Sequence, residues 1–125
     1  MVPKKVQINM TQRKKVAAIF YKSSSGREPV RDWLLDLVKD DRKTIGKDIK
    51  TVEFGWPIGM PTCRPMGDGL YEVRTDLEDK RIARVLFCFE GGKMVLLHGF
   101  IKKSQKTPKP DLEMAKKRKK EVNHG

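Results

Sequence analysis

The chain has 125 residues but only two cysteines and two histidines. Cys63 and Cys88 lie far apart and form no CxxC pair, so a disulfide framework is not expected and a reducing cytosol fits. A His/Cys metal centre lacks its ligands, the carboxylates form no metal-binding set, and neither metal nor cofactor is expected. No apolar run approaches the ~20 residues of a membrane span. The basic start, residues 1–5, is followed by no secretory apolar segment, so no membrane partner is expected. P-loop, GxGxxG and GxSxG motifs are all missing, which removes the commonest nucleotide-binding and serine-hydrolase signatures. Acidic residues are also scarce: 16 Asp and Glu stand against 28 Lys and Arg, a formal net charge of +12. A small domain with that charge attracts polyanions, and nucleic acid is the leading partner.

What remains reads as one domain, because a chain of this length is too short for two good cores. Residues 1–14 are polar and basic and are expected to form a flexible arm. A strand is expected over 15–21, ended by Ser23-Ser24-Ser25-Gly26. Pro29 suits a first helical turn. Val30, Trp33, Leu34, Leu37 and Val38 then follow the i, i+3, i+4, i+7, i+8 spacing of an apolar helical stripe. Asp41 is placed to cap a second helix with Ile45, Ile49 and Val52 inside, stopped by Gly55 and Pro57. The stretch 55–69 is rich in Gly and Pro and reads as a loop. Strands are expected over 70–74, 81–89 and 94–101, with Gly91-Gly92 as a two-residue hairpin turn. A helix over 111–122 follows, acidic at its start and basic at its end, and 123–125 form a tail, His124 included. The order β-α-α-β-β-β-α predicts an α+β fold, a helical hairpin on a small, mostly antiparallel sheet with a C-terminal helix.

The chemistry gathers where the last strand runs into lysine, at His98-Gly99-Phe100-Ile101-Lys102-Lys103-Ser104-Gln105-Lys106-Thr107-Pro108. Several cations near a sheet edge make a phosphate site. With Gly91 and Gly92 as the only loop residues, Arg84 falls opposite Gly99. Arg84, Gly99, Ile101 and Lys103 would then share one face, and Val85, His98, Phe100 and Lys102 the other, unless a bulge near Gly99 intervenes. Gly99 would leave room above Arg84 for a ligand. Arg84 interrupts an apolar strand. It either pairs with Glu72 or binds a phosphate at the sheet surface. His98 reads as a satisfied residue of an apolar strand, the commoner case, or as a general acid or base. Phe100 reads as core or as a stacking platform for RNA bases. Lys106 and Lys109 are held near the same segment by Pro108 and Pro110. Lys116 and Lys117 lie on a basic helix face that adds attraction for RNA. If the protein cuts RNA, metal is not required, since the 2′-hydroxyl can attack the adjacent phosphate and cations can neutralise the phosphorane.

Gly26-Arg27-Glu28-Pro29-Val30-Arg31-Asp32-Trp33-Leu34, Glu53-Phe54-Gly55, Gly69-Leu70-Tyr71-Glu72-Val73-Arg74, Arg84-Val85-Leu86 and the closing HGFIKKSQKTP run resemble the HigB-like branch of the RelE/ParE toxin superfamily. This branch is the phage-derived, host-takeover-like subfamily. The match covers about residues 15 to 122 in order. It implies a type II toxin that cuts mRNA on the translating ribosome, neutralised by a HigA-like helix-turn-helix antitoxin. It places Arg74 and Arg84 against the scissile phosphate, and Lys102 or Lys103 near a further catalytic arginine. Phe100 and Lys106 border that region. The tyrosine that serves as base in the best-known relative has no match near 105–107, so the base is His98, a lysine or none. Two other readings fit the superfamily or the charge: a ParE-like inhibitor that binds DNA gyrase, and a non-catalytic basic RNA-binding module.

Overall fold

The computed structural model describes residues 13–124. The expected basic arm lies outside the described residues as far as residue 12. Five strands and three helices follow in the order β1 (Ala17–Phe20), α1 (Pro29–Asp36), α2 (Lys39–Gly55), β2 (Cys63–Gly67), β3 (Leu70–Asp76), β4 (Ile82–Glu90), β5 (Lys93–Lys102) and α3 (Lys109–His124). The α+β class is as expected, and the sheet has one more strand than expected. Its order is β1-β5-β4-β3-β2, with β1 parallel to β5 and every other pair antiparallel. Among the described residues, no helix is long and apolar enough to cross a membrane.

The additional strand, β2, lies within the stretch that reads as loop. Pro65 cannot donate to a ladder, but β2 is an edge strand and pairs only with β3, where proline is tolerated. The second helix starts earlier than expected, with Val38 as its N-cap. Asp41 sits in its first turn instead of capping it, and its carboxylate is gripped by Arg81 at 2.8 and 3.2 Å. That bidentate pair ties the hairpin to the start of β4. α3 runs on to His124, through residues expected to form a tail.

Two apolar layers sandwich the sheet. On one side α1 and α2 bury Val30, Ile45, Ile49 and Val52 against Val73, Val85, Phe87 and Leu96. On the other side α3 sets Ala115 against Leu70, Leu86, Cys88, Val95 and Leu97. Val38, counted in the apolar stripe, is instead 66% exposed just beyond α1. The Gly91-Gly92 turn forms as expected: both residues have positive φ, and Glu90 pairs with Lys93.

A bulge then alters the register. Phe87 pairs with Leu96 but Leu86 pairs with His98, leaving Leu97 as the extra residue. The Leu97 carbonyl accepts from Arg118 of α3 at 2.8 Å, so the helix holds the bulge. Beyond it Arg84 pairs with Phe100, and Val85 with Gly99. The expected faces are therefore corrected. Arg84 shares its face with His98, Phe100 and Lys102, and Gly99 lies with Val85 on the hairpin side. Gly99 therefore opens no space above Arg84, since it faces the other way, and on its own side Trp33 fills the gap: a Cβ there would lie 2.4 Å from two Trp33 ring carbons. Gly99→Ala should accordingly destabilise the fold by about 1–3 kcal/mol through overpacking. An unchanged urea midpoint would contradict this packing.

Candidate functional site

β2, β3, β4 and β5 bring three arginines to one face of the sheet. Arg64 pairs across the ladder with Glu72, Arg74 with Arg84, and Arg84 with Phe100. Paired residues in an antiparallel ladder point the same way, so these side chains share the face that carries α3. α3 covers the far part of that face. The arginines lie beyond its N-terminus, where the segment from Lys103 to Pro108 crosses.

Arg84 is the centre of the group and is 0% exposed, as is Glu72. Its Nε lies 3.9 Å from Glu72 Oε1, within range of charge attraction but too far for a hydrogen bond. Its Nη2 donates to the Ser104 carbonyl, and the guanidinium lies 5.7 Å from the Phe100 ring centroid. Nε, Nη1 and Glu72 Oε1 have no hydrogen-bond partner. Burial pushes the Arg84 pKa down, Glu72 draws it back up, and Arg74 and Arg64 push it down again. The pairing with Glu72 is thus present, while an open phosphate site at Arg84 is not: the guanidinium lies beneath the chain instead of at the sheet surface.

Arg74 is partly exposed and donates to Gln105 Oε1 at 3.0 Å. Beside it opens a groove of ≈ 610 Å³, bordered by Lys47, Thr62 and Gln105. A larger cavity of ≈ 680 Å³ lies elsewhere, between the β1 edge and the C-terminal end of α3, lined mostly by apolar surface. It shares none of the cationic side chains argued for above. His98 Nε2 lies 2.6 Å from Asp111 Oδ1 in the first turn of α3, and its ring stacks against Phe100 at 5.8 Å. His98 is therefore satisfied, with about a fifth of its side chain open to solvent. Phe100 is 7% exposed, a core position more than an open platform.

Lys102, Lys103, Lys106 and Lys109 are exposed at the rim. Lys116 and Lys117 lie farther along α3. The Lys116 ammonium lies near Asp68 at 3.8 Å and Glu113 at 3.7 Å, while Lys117 is exposed. Of the residues singled out from the sequence, the fold groups Arg74, Arg84, His98, Phe100 and Lys102 on one face. It leaves Lys116 and Lys117 outside that group. Arg64 was missed because its strand reads as loop. Gln105 and Thr107 carry no signal of their own within the closing motif. Thr107 donates to Glu72 Oε2 at 2.5 Å, a contact with no signature in the sequence.

Residues 32–120 match the family model described as Phage derived protein Gp49-like (DUF891). The match spans well over half of the chain. The chain belongs to this phage-derived family. It is a RelE/HigB-like toxin family of the type II toxin–antitoxin superfamily, and membership implies an antitoxin partner in general. No curated protein matches the chain.

The buried pair carries a stability prediction. Glu72→Gln leaves the Arg84 cation uncompensated and should cost roughly 3–5 kcal/mol. Adding Arg84→Met should restore most of that loss. A Glu72→Gln urea midpoint equal to wild type would show that the pair does not hold this part of the fold.

Proposed function

We propose that the chain is the toxin of a type II toxin–antitoxin system and acts as a ribosome-dependent endoribonuclease. On this reading the 2′-hydroxyl of a ribose attacks the adjacent phosphate, and the arginine face stabilises the phosphorane. The observation that carries the proposal is the register pairing of Arg74 with Arg84, with Arg64 acting on the same centre. A phosphorane bears more negative charge on its equatorial oxygens than the phosphodiester does, so fixed guanidinium groups bind it more strongly than the substrate. Arg74, like Arg64, is partly exposed. Arg84 beneath it fixes the charge from below and positions the covering segment.

Lys102 and Lys103 sit where the RNA backbone would approach, and Lys106 and Lys109 extend that rim. Lys116 and Lys117 would add non-specific attraction for ribosomal or messenger RNA. His98 is the candidate proton acceptor on the same face. Asp111 fixes its orientation, as a carboxylate commonly does for a catalytic imidazole. Phe100 supports the imidazole and Arg84 from within the core. The partner proposed is a HigA-like helix-turn-helix antitoxin that covers part of the basic face and so blocks both RNA and ribosome.

Primer extension on a reporter mRNA in a reconstituted translation reaction tests this proposal. Wild type should cut in frame with codons, and only with ribosomes present. Arg74→Ala should slow cleavage by about 10–100-fold, the loss of one charge-assisted phosphate contact that strengthens in the transition state. Arg74 is partly exposed, so this variant should stay folded. Intact mRNA with wild type would overturn the nuclease reading. A DNA supercoiling assay would then test the gyrase-inhibitor alternative.

A further inference from the structure

The segment 103–107 lies across the arginine face as a strap. Its own side chains are polar, and Ser104, Gln105 and Lys106 are exposed. No apolar residue anchors it. Its inward contacts go to the cluster beneath: Ser104 O accepts from Arg84, Gln105 Oε1 accepts from Arg74 at 3.0 Å, and Thr107 Oγ1 donates to Glu72 at 2.5 Å. A fourth bond, from Ser104 Oγ to the Lys106 carbonyl at 3.2 Å, closes the strap on itself. At each end the chain is fixed, by β5 up to Lys102 and by α3 from Lys109, whose Leu112 N–H reaches the Pro108 carbonyl at 3.1 Å.

The strap satisfies the arginines poorly. A carbonyl and an amide oxygen are neutral acceptors, weaker for guanidinium than a phosphate oxyanion. Beneath the strap Arg84 keeps two nitrogens, Nε and Nη1, without a hydrogen-bond partner although it is wholly buried. Such orphaned donors raise the free energy of the closed arrangement. Two neutral oxygens of one short segment therefore take the donors of two neighbouring arginines, donors that an anionic phosphate oxygen would accept from more strongly.

We propose that the strap 103–107 is a displaceable internal stand-in for an RNA phosphate, which covers Arg84 and occupies one side of the partly exposed Arg74 in the resting protein, and lifts when a phosphodiester takes both. The inference rests on the reading that these arginines meet the RNA backbone, and it adds that the site is closed by default. Binding then carries the cost of opening, because the affinity observed is the intrinsic affinity reduced by the fraction already open. Weakening the strap without touching an arginine must tighten binding.

Gln105→Ala removes one strap contact and leaves every cation in place. The test titrates the full chain, without ribosomes, with a short single-stranded oligonucleotide carrying 2′-O-methyl riboses, which cannot be cut. Fluorescence anisotropy reads the affinity, and hydrogen exchange of the free protein reads the strap. Gln105→Ala should bind about tenfold tighter than wild type, the equivalent of one charge-assisted hydrogen bond. Its amides at 104–107 should also exchange faster, with the core strands unchanged. Equal or weaker binding by Gln105→Ala would overturn the proposal, whatever the exchange shows. The nuclease reading fails separately: a Gln105→Ala gain in affinity with no mRNA cut on ribosomes keeps the strap and removes the nuclease. Ribosomal cleavage by wild type with no gain in Gln105→Ala affinity does the reverse.

Discussion

The fold is organised around one guanidinium sealed inside a small domain. Arg84 has no solvent to offset its desolvation. It therefore needs a carboxylate from β3, a ring from β5 and a carbonyl from the segment beyond β5. Those three requirements dictate much else. Glu72 must be inward-facing, so Arg74, two residues on, faces the same way at the edge of the cluster. Phe100 must stand opposite Arg84, so the β4–β5 ladder must shift by one residue. The Leu97 bulge makes that shift, and Arg118 holds it from α3. Even the position of His98, within reach of Asp111, follows from the same extra residue.

Much of this was legible in the sequence, and the parts that were not share a cause. Long-range periodicity is written in residue types, so the apolar stripe through Ile45, Ile49 and Val52 and the Gly91-Gly92 turn could be read directly. Pairing is not written that way. Nothing in Leu96-Leu97-His98 marks which residue is extra, because all three are compatible with a strand, yet that one residue moved Arg84 from beside Gly99 to beside Phe100. β2 was hidden for a related reason. Pro65 and its neighbouring glycines belong to a loop by composition, and only an edge position makes them tolerable in a sheet. Arg64 went unseen with it. The choice between Glu72 and phosphate as the partner of Arg84 also depended on burial, which the segment from Lys103 to Thr107 supplies and which no local pattern encodes.

Charge and family point in one direction. The surplus of basic over acidic residues draws the protein to polyanions, and the Glu72–Arg74 and closing-strand motifs lie within the residues matched to the phage-derived Gp49-like family. The sheet adds geometry to that general attraction. Exposed lysines surround the cluster, a partly exposed arginine stands at its edge, and the most confined cation lies beneath it. Attraction that is merely electrostatic would not require this layering, since surface lysines alone give affinity without selectivity for a transition state.

The most direct measurement of that claim is the chemistry of the cut ends. If the arginine face stabilises attack by the ribose hydroxyl, mass spectrometry of mRNA cleaved on ribosomes should find a 2′,3′-cyclic phosphate upstream and a 5′-hydroxyl downstream, and a single 2′-deoxy substitution at the attacking ribose should abolish that cut. A 5′-phosphate downstream, or undiminished cleavage at the deoxy position, would contradict the account.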